Sequence, residues 1–221
     1  MSLAIIPLSF NSELQLDFSD QIYPHISIYP LDICLDLDLC VMINTKVVSL
    51  REEYISFVPE GVYSDRDRFA IQIAYLEKYP KISAVGSQVK ITTANTEIRF
   101  PVDFFECSKL FYRFKKEFIF DYSVVIRRKD FLDAGGLTRD VTRSEHELQY
   151  TIFLSLWARL MFMHRYVANV DNSLVRCAPE VLQKPEGYDH EVELIWGMFR
   201  RGTFKITPII DDWKNDLFDI S

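Results

Sequence analysis

Two Asp-x-Asp pairs, Asp36-Leu37-Asp38 and Asp65-Arg66-Asp67, are the residues here best suited to holding a hard divalent cation. Carboxylates one residue apart project the same way from a strand, which suits Mg²⁺ or Mn²⁺ bridging a diphosphate. Each pair also has a purely structural reading. Asp36 and Asp38 alternate with Leu35, Leu37 and Leu39, the pattern of a strand with one wet face. Asp65 and Asp67 stand where a helix begins, so their charge complements its dipole. A third group, Glu145-His146-Glu147, sets an imidazole between two carboxylates at the start of a helix running to about Leu160. Imidazole can serve as a general base near neutral pH. At a helix start it can equally be a cap, and a carboxylate there is first a dipole partner.

Length and composition narrow the field. A chain of 221 residues with 48% hydrophobic content forms one domain, or one domain with a tail, and can bury a sizeable core. A net charge of −7 argues against nucleic-acid binding and against anionic membranes. The dense basic clusters, Arg113-Phe114-Lys115-Lys116 and Arg127-Arg128-Lys129, read as solvated faces. Cys34, Cys40, Cys107 and Cys177 lack metal-ligand spacing, and with no secretory signal the expectation is free thiols in a reducing cytoplasm. The longest apolar run, Phe153 to Phe162, is interrupted by Arg159 and is too short to span a bilayer.

The elements that must position these residues centre on Tyr54 to Pro80. Tyr54 to Val58, β-branched and aromatic, reads as a buried strand, broken by Pro59 and Gly61. A helix pattern starts at Arg66, with Phe69, Ala70, Ile73, Ala74 and Leu76 on one side and Ser64 or Asp65 as N-cap. It stops at Pro80, and Ile82 to Val85 begins another strand. Strand, helix, strand is a βαβ unit, whose chemistry sits at the carboxyl ends of strands. Around it, Leu3 to Pro7 and Ile26 to Leu31 read as strands, and Gln88 to Phe100 as a hairpin about Thr93-Ala94-Asn95. Asp103 to Phe114 has helical spacing, and Phe118 to Ile126 reads as a strand. Phe131 to Gly136 is a short helix closed by a glycine pair, and Glu191 to Phe199 is amphipathic through Leu194, Ile195, Trp196 and Phe199, a face expected to dock. The alternation predicts an α/β fold, a Rossmann-like three-layer sandwich with a mostly parallel central sheet and Ile55 to Val58 inside it.

Arg68, Gln72, Tyr75-Leu76-Glu77 and Pro80, followed by Val85-Gly86-Ser87, resemble family-2 glycosyltransferases of the GT-A fold. The resemblance extends through Ile5-Ile6-Pro7 with Asn11, Gln21-Ile22-Tyr23-Pro24-His25-Ile26, and Asn44 to Val48 leading into Glu53-Tyr54-Ile55. It continues through Arg127-Arg128, Gly135-Gly136, and Met161 to Val167 with Asn172 to Arg176 as the last strand. It covers Leu3 to Arg176. The resemblance implies that Asp32 meets the nucleotide's base and ribose, that Pro59-Glu60-Gly61 stands where the family keeps its metal-binding acidic pair, and that Arg176 is the closing arginine without its usual His partner. It aligns Glu145-His146 with the family's Glu-Asp pair, putting His146 in the place of the base that deprotonates the acceptor.

The resemblance therefore implies a GT-A-like domain over residues 1–180 and a helical tail, 181–221, packed on it. Its metal, base and nucleotide motifs are altered. A diphosphate leaving group needs its charge neutralised as the bond breaks, and losing that clamp removes several kcal/mol. The expectation is a glycosyltransferase-like binding or accessory protein in glycan synthesis that has lost sugar transfer. The alternatives are a diverged transferase using Glu60, His146 and another carboxylate with Mg²⁺ or Mn²⁺ and a UDP-sugar, or an unrelated α/β domain of similar architecture. The ligands implied are a nucleotide-sugar or a glycan, with a protein partner in the accessory reading.

Overall fold

The computed structural model describes residues 1–9, 18–32, 38–94, 96–114, 117–138, 148–183, 188–203 and 206–209. In chain order the elements are β1 (Leu3–Ser9), β2 (Ile26–Ile28), β3 (Leu31–Asp32), α1 (Leu39–Ser49), β4 (Tyr54–Pro59), β5 (Val62–Ser64) and α2 (Arg68–Lys78). There follow β6 (Ile82–Ile91), β7 (Glu97–Ile98), α3 (Phe104–Lys109), β8 (Val125–Arg127), α4 (Arg128–Asp133), α5 (Leu148–Phe162), β9 (Tyr166–Cys177) and α6 (Tyr188–Arg201). A π turn, Leu110–Phe114, extends α3, and 3₁₀ turns cover Asp121–Ser123 and Pro179–Leu182.

One sheet runs β2-β1-β4-β8-β6-β9-β5, with β3 beside β1 and β7 beside β6. The strand β4 lies inside it, between β1 and β8. The alternating positions of β4 feed two layers. Ser56 accepts from Arg68 of α2, whereas Phe57 packs against Phe131 of α4 and Phe153 of α5. Helices therefore cover both faces, as the fold reading expects, and α6 packs on α5 with Ile195 buried. Among the described residues no helix is long and apolar enough to cross a membrane.

The sheet is mixed rather than mostly parallel. β1 pairs β2, β3 and β4 in parallel, as β6 pairs β9. β8 is antiparallel to both β4 and β6, β5 to β9, and β7 to β6. Parallel neighbours need a crossover back to the starting edge. The turn at Asp121–Ser123 instead delivers the chain to the carboxyl edge, so β8 must run down between β4 and β6.

Several boundaries depart from the periodicity. Phe118 to Ile126 is a strand only from Val125, because Phe118, Ile119, Phe120 and Tyr122 are buried from a turn closed by Ser123 Oγ bonding the Phe120 carbonyl. Their composition reported burial, not strand. The second strand is split into β2 and β3. The last strand does not begin at Met161: α5 continues to Phe162, the chain reverses at His164 (φ 57°), and β9 runs unbroken through Asn172. The cap of α2 is Asp67, without a side-chain bond, rather than Ser64 or Asp65. Asp38 is no strand residue: its carboxylate caps α1 by accepting from the Cys40 and Val41 amides, at 2.7 and 3.3 Å. Its companion Asp36 lies outside the described residues.

Gly86 marks the tightest layer contact. A Cβ there would meet Ile119 at 2.8 Å and Ser123 Oγ at 3.0 Å, besides the Asn169 amide. Asn169 cannot yield, since its Nδ2 donates to the carbonyls of Pro101 and Phe118, each at 2.8 Å. Gly86→Ala is therefore expected to cost about 1–3 kcal/mol by overpacking, read as a lowered urea midpoint with an unchanged slope.

Candidate functional site

The parallel strands end on a common edge. Ser9 of β1 is in register with Asp32 of β3, and Leu8 with Pro59 of β4. Asp32 and Glu60 thus reach the same edge on either side of β1. Glu60 is exposed at the tip of the turn between β4 and β5. Beside it, Gly61 has φ +78°, a left-handed conformation that side-chain-bearing residues rarely adopt. Its carbonyl accepts from the Ala178 amide at 3.1 Å, and a Cβ on it would meet Val181 Cγ2 at 3.2 Å. Backbone and a valine thus stand beside this turn, and Glu60 is its one carboxylate.

Arg176 goes elsewhere. In β9 it is in register with Tyr63 of β5, and its Nε donates to Asp65 Oδ1 at 3.2 Å. The pair lies in a shallow groove of about 800 Å³, with Asp20, Arg66, Asp67 and Lys90 on its walls. Asp65 is thus an ion-pair partner of Arg176 rather than half of a free Asp-x-Asp pair. Among the described residues no three His, Cys, Asp or Glu side chains converge as metal ligands would. Glu145, His146 and Glu147 lie outside the described residues, directly ahead of α5.

The family-like Arg68 and Gln72 are not at the surface at all. Arg68 is fully buried, with Nη1 donating to Ser64 Oγ at 2.8 Å and Nη2 to Ser56 Oγ and the Tyr122 carbonyl at 3.1 and 3.0 Å. Its Nε reaches Gln72 Oε1 at 3.2 Å, and Gln72 Nε2 donates to the carbonyls of Val85 and Ser123. Burial lowers the Arg68 pKa to about 9, so it is still a cation at neutral pH. This network fixes β4, β6 and the turn before β8 to one helix, which is why the spacing from Arg68 to Gln72 is legible in sequence.

A residue that the sequence reading passed over is Asp121. It is the lone charge in the aromatic run Phe118 to Tyr122, and that isolation was the available signal. It accepts from Trp157 Nε1 of α5 at 2.7 Å, and desolvation raises its pKa from 3.8 to about 7. Two of the described cysteines offer no comparable chemistry: burial pushes the thiols of Cys107 and Cys177 up to about 12 and about 11, where neither is a nucleophile at neutral pH.

No protein-family model matches the chain, and no curated protein matches it. Solved structures do. The crystal structure of S. aureus TarS, a glycosyltransferase, aligns with a TM-score of 0.57 at 10% identity, over 90% of this chain and 39% of that one. TarS 1-349 in complex with UDP aligns at 0.54 and 12% identity, over 93% of this chain and 73% of that one. Its complex with UDP-GlcNAc gives 0.56 and 12%, over 88% and 65%. This chain thus spans about two fifths of the longer TarS chain. At such identity the likeness is one of fold alone: an α/β fold with a mixed central sheet, similar to those glycosyltransferase structures.

Proposed function

We propose that the chain is a glycosyltransferase-like binding or accessory protein of glycan synthesis that engages a nucleotide-sugar without metal-dependent transfer. The observation that carries this reading is the turn at Glu60-Gly61. One exposed carboxylate, a left-handed glycine and the contact with Val181 make a donor set that does not fit a diphosphate-bound Mg²⁺ or Mn²⁺. Asp32, on the same edge in register with Ser9, is the group assigned to the nucleotide. The TarS complexes with UDP and UDP-GlcNAc support the choice of ligand.

Calorimetry with UDP-GlcNAc, with and without Mn²⁺, and an assay for released UDP test the reading. Binding whose affinity is unchanged by Mn²⁺, with no UDP above background, is the expected result. UDP release that disappears in His146→Ala would instead establish a diverged transferase with His146 as its base. Gly61→Asp offers a second check. Because the new side chain would stand at φ +78° against Val181, it is expected to cost about 1–3 kcal/mol of stability. It should gain no Mn²⁺ affinity, and tight Mn²⁺ binding by that variant would show that the turn can host the lost site.

A further inference from the structure

The groove beside Arg176 carries more polar chemistry than its ion pair with Asp65 uses. Lys90 and Arg176 are the penultimate residues of β6 and β9, which run in parallel. Because β8 is antiparallel to both β4 and β6, the strands β6 and β9 point the same way as β4. The groove therefore opens at the carboxyl edge, as Asp32 and Glu60 do, but across β8 from them. Lys90 is in register with Arg176 on one side and Glu97 on the other, and Arg176 with Tyr63. Residues paired in register project from the same face. Tyr63, Arg176, Lys90 and Glu97 thus form one row across four strands.

This row is not satisfied from within. Lys90 and Arg176 set like charges side by side, which costs stability unless an acceptor bridges them. Asp65 is engaged by Arg176, and Glu97 by Arg99 and Ser173. Among the described residues, the side chains of Lys90, Arg66, Asp67 and Asn172, which also line the groove, have no hydrogen bond or ion pair. Tyr63 is 54% exposed, and its ring meets no other aromatic ring or cation among the described residues.

The groups present select the class of ligand. Four carboxylates and three cations line the groove, so a polyanion would be repelled as much as drawn. Its apolar lining is limited to Ile71 and Leu174, so an apolar ligand would bury little there. A hydroxyl both donates and accepts, which suits free ammonium, guanidinium, amide and carboxylate groups set together. The C–H face of a sugar ring is apolar and lies flat on an aromatic ring, and an exposed tyrosine beside the groove offers that surface. We infer that this groove binds an uncharged segment of a glycan chain. Tyr63 stacks on one sugar ring, and Lys90, Arg66, Asp67 and Asn172 bond the hydroxyls of its neighbours. At about 800 Å³ the groove falls within the range of about 300–1,000 Å³ common to ligand sites. The inference rests on the reading of the chain as a protein of glycan synthesis, and gives the glycan a place apart from the nucleotide's.

The test titrates the ¹⁵N-labelled full chain with maltotetraose, cellotetraose and triacetylchitotriose, each to about 10 mM. A heparin tetrasaccharide serves as the anionic counterpart, and UDP-GlcNAc is titrated separately. At least one neutral oligosaccharide is expected to shift the amides of residues 63–67, 90 and 172–176 saturably, and the heparin fragment to leave them unmoved. Tyr63→Ala and Lys90→Met should each weaken that binding at least about tenfold. Both side chains are exposed, so the fold should survive either change. If one variant nevertheless fails to fold, the other and the shift map of the parent decide. No shift from any of the three, shifts confined to other surfaces, undiminished binding by the variants, or preference for heparin overturns the inference. Glycan binding without UDP-GlcNAc binding would defeat the nucleotide reading and leave the groove standing. Nucleotide binding without glycan binding would strike the groove alone.

Discussion

Arg68→Ala is expected to destabilise the protein by about 4–6 kcal/mol, a large part of the 5–15 kcal/mol that holds a domain folded. The truncation strands Ser56, Ser64, the Tyr122 carbonyl and Gln72 Oε1, all of which accept from the guanidinium. Each buried acceptor left unpaired costs about 1–3 kcal/mol, and the four are coupled enough that their costs do not simply add. A cavity where a fully buried side chain lay adds to the loss. Arg68→Met separates the two terms. It keeps most of the volume and removes a cation that burial disfavours, the guanidinium pKa being lowered to about 9. Methionine should therefore recover about 1–3 kcal/mol of the alanine loss. Urea unfolding at pH 7 decides it: an alanine variant losing less than about 2 kcal/mol would show that the network is dispensable.

That network is also where the sequence spoke most clearly. Arg68 and Gln72, four apart on a helix that ends before Pro80, belong to one local element, so their spacing survives in the chain as a readable pattern. Gly135 and Gly136, with φ of +82° and +64°, closed α4 as expected, for the same local reason. Strand direction was not legible. Nothing in Val125 to Arg127 distinguishes a parallel from an antiparallel strand, because direction is set by where the connection delivers the chain. Nor was the partner of Arg176: Asp65 lies 111 positions away, and only the pairing of β5 with β9 brings them together. The alternation around Asp38 misled because an aspartate flanked by leucines is equally a wet strand position and a helix cap. Of the site residues, Asp32 and Glu60 share an edge, Arg176 turns to Asp65, and Glu145 and His146 lie outside the described residues.

The other large effect expected is a stability that falls between about pH 4 and pH 7, a range over which many proteins hold steady. Asp121 has a folded pKa of about 7 against an ordinary 3.8. Between those values the folded state binds more protons than the unfolded one, so raising the pH favours unfolding. The contribution is full below the ordinary carboxylate pKa, is lost progressively up to pH 7, and is flat above it. At 1.36 kcal/mol per pKa unit, and allowing about a unit of relaxation, the loss is about 2–4 kcal/mol. Glu52 acts with the opposite sign. Burial would raise its pKa, but bonds from Tyr29 and from backbone amides outweigh that and lower it below 4.5. Its stabilisation is present at neutral pH and is lost only as the pH falls through that lowered value. Urea midpoints measured from pH 4 to pH 8.5 should show the decline in the parent, and Asp121→Asn, neutral throughout, should lack it and exceed the parent above pH 7. Parallel curves for the two proteins would mean that Asp121 titrates in the folded state as it does in the unfolded one, and that Trp157 and the aromatic cluster around it accommodate the charge without cost.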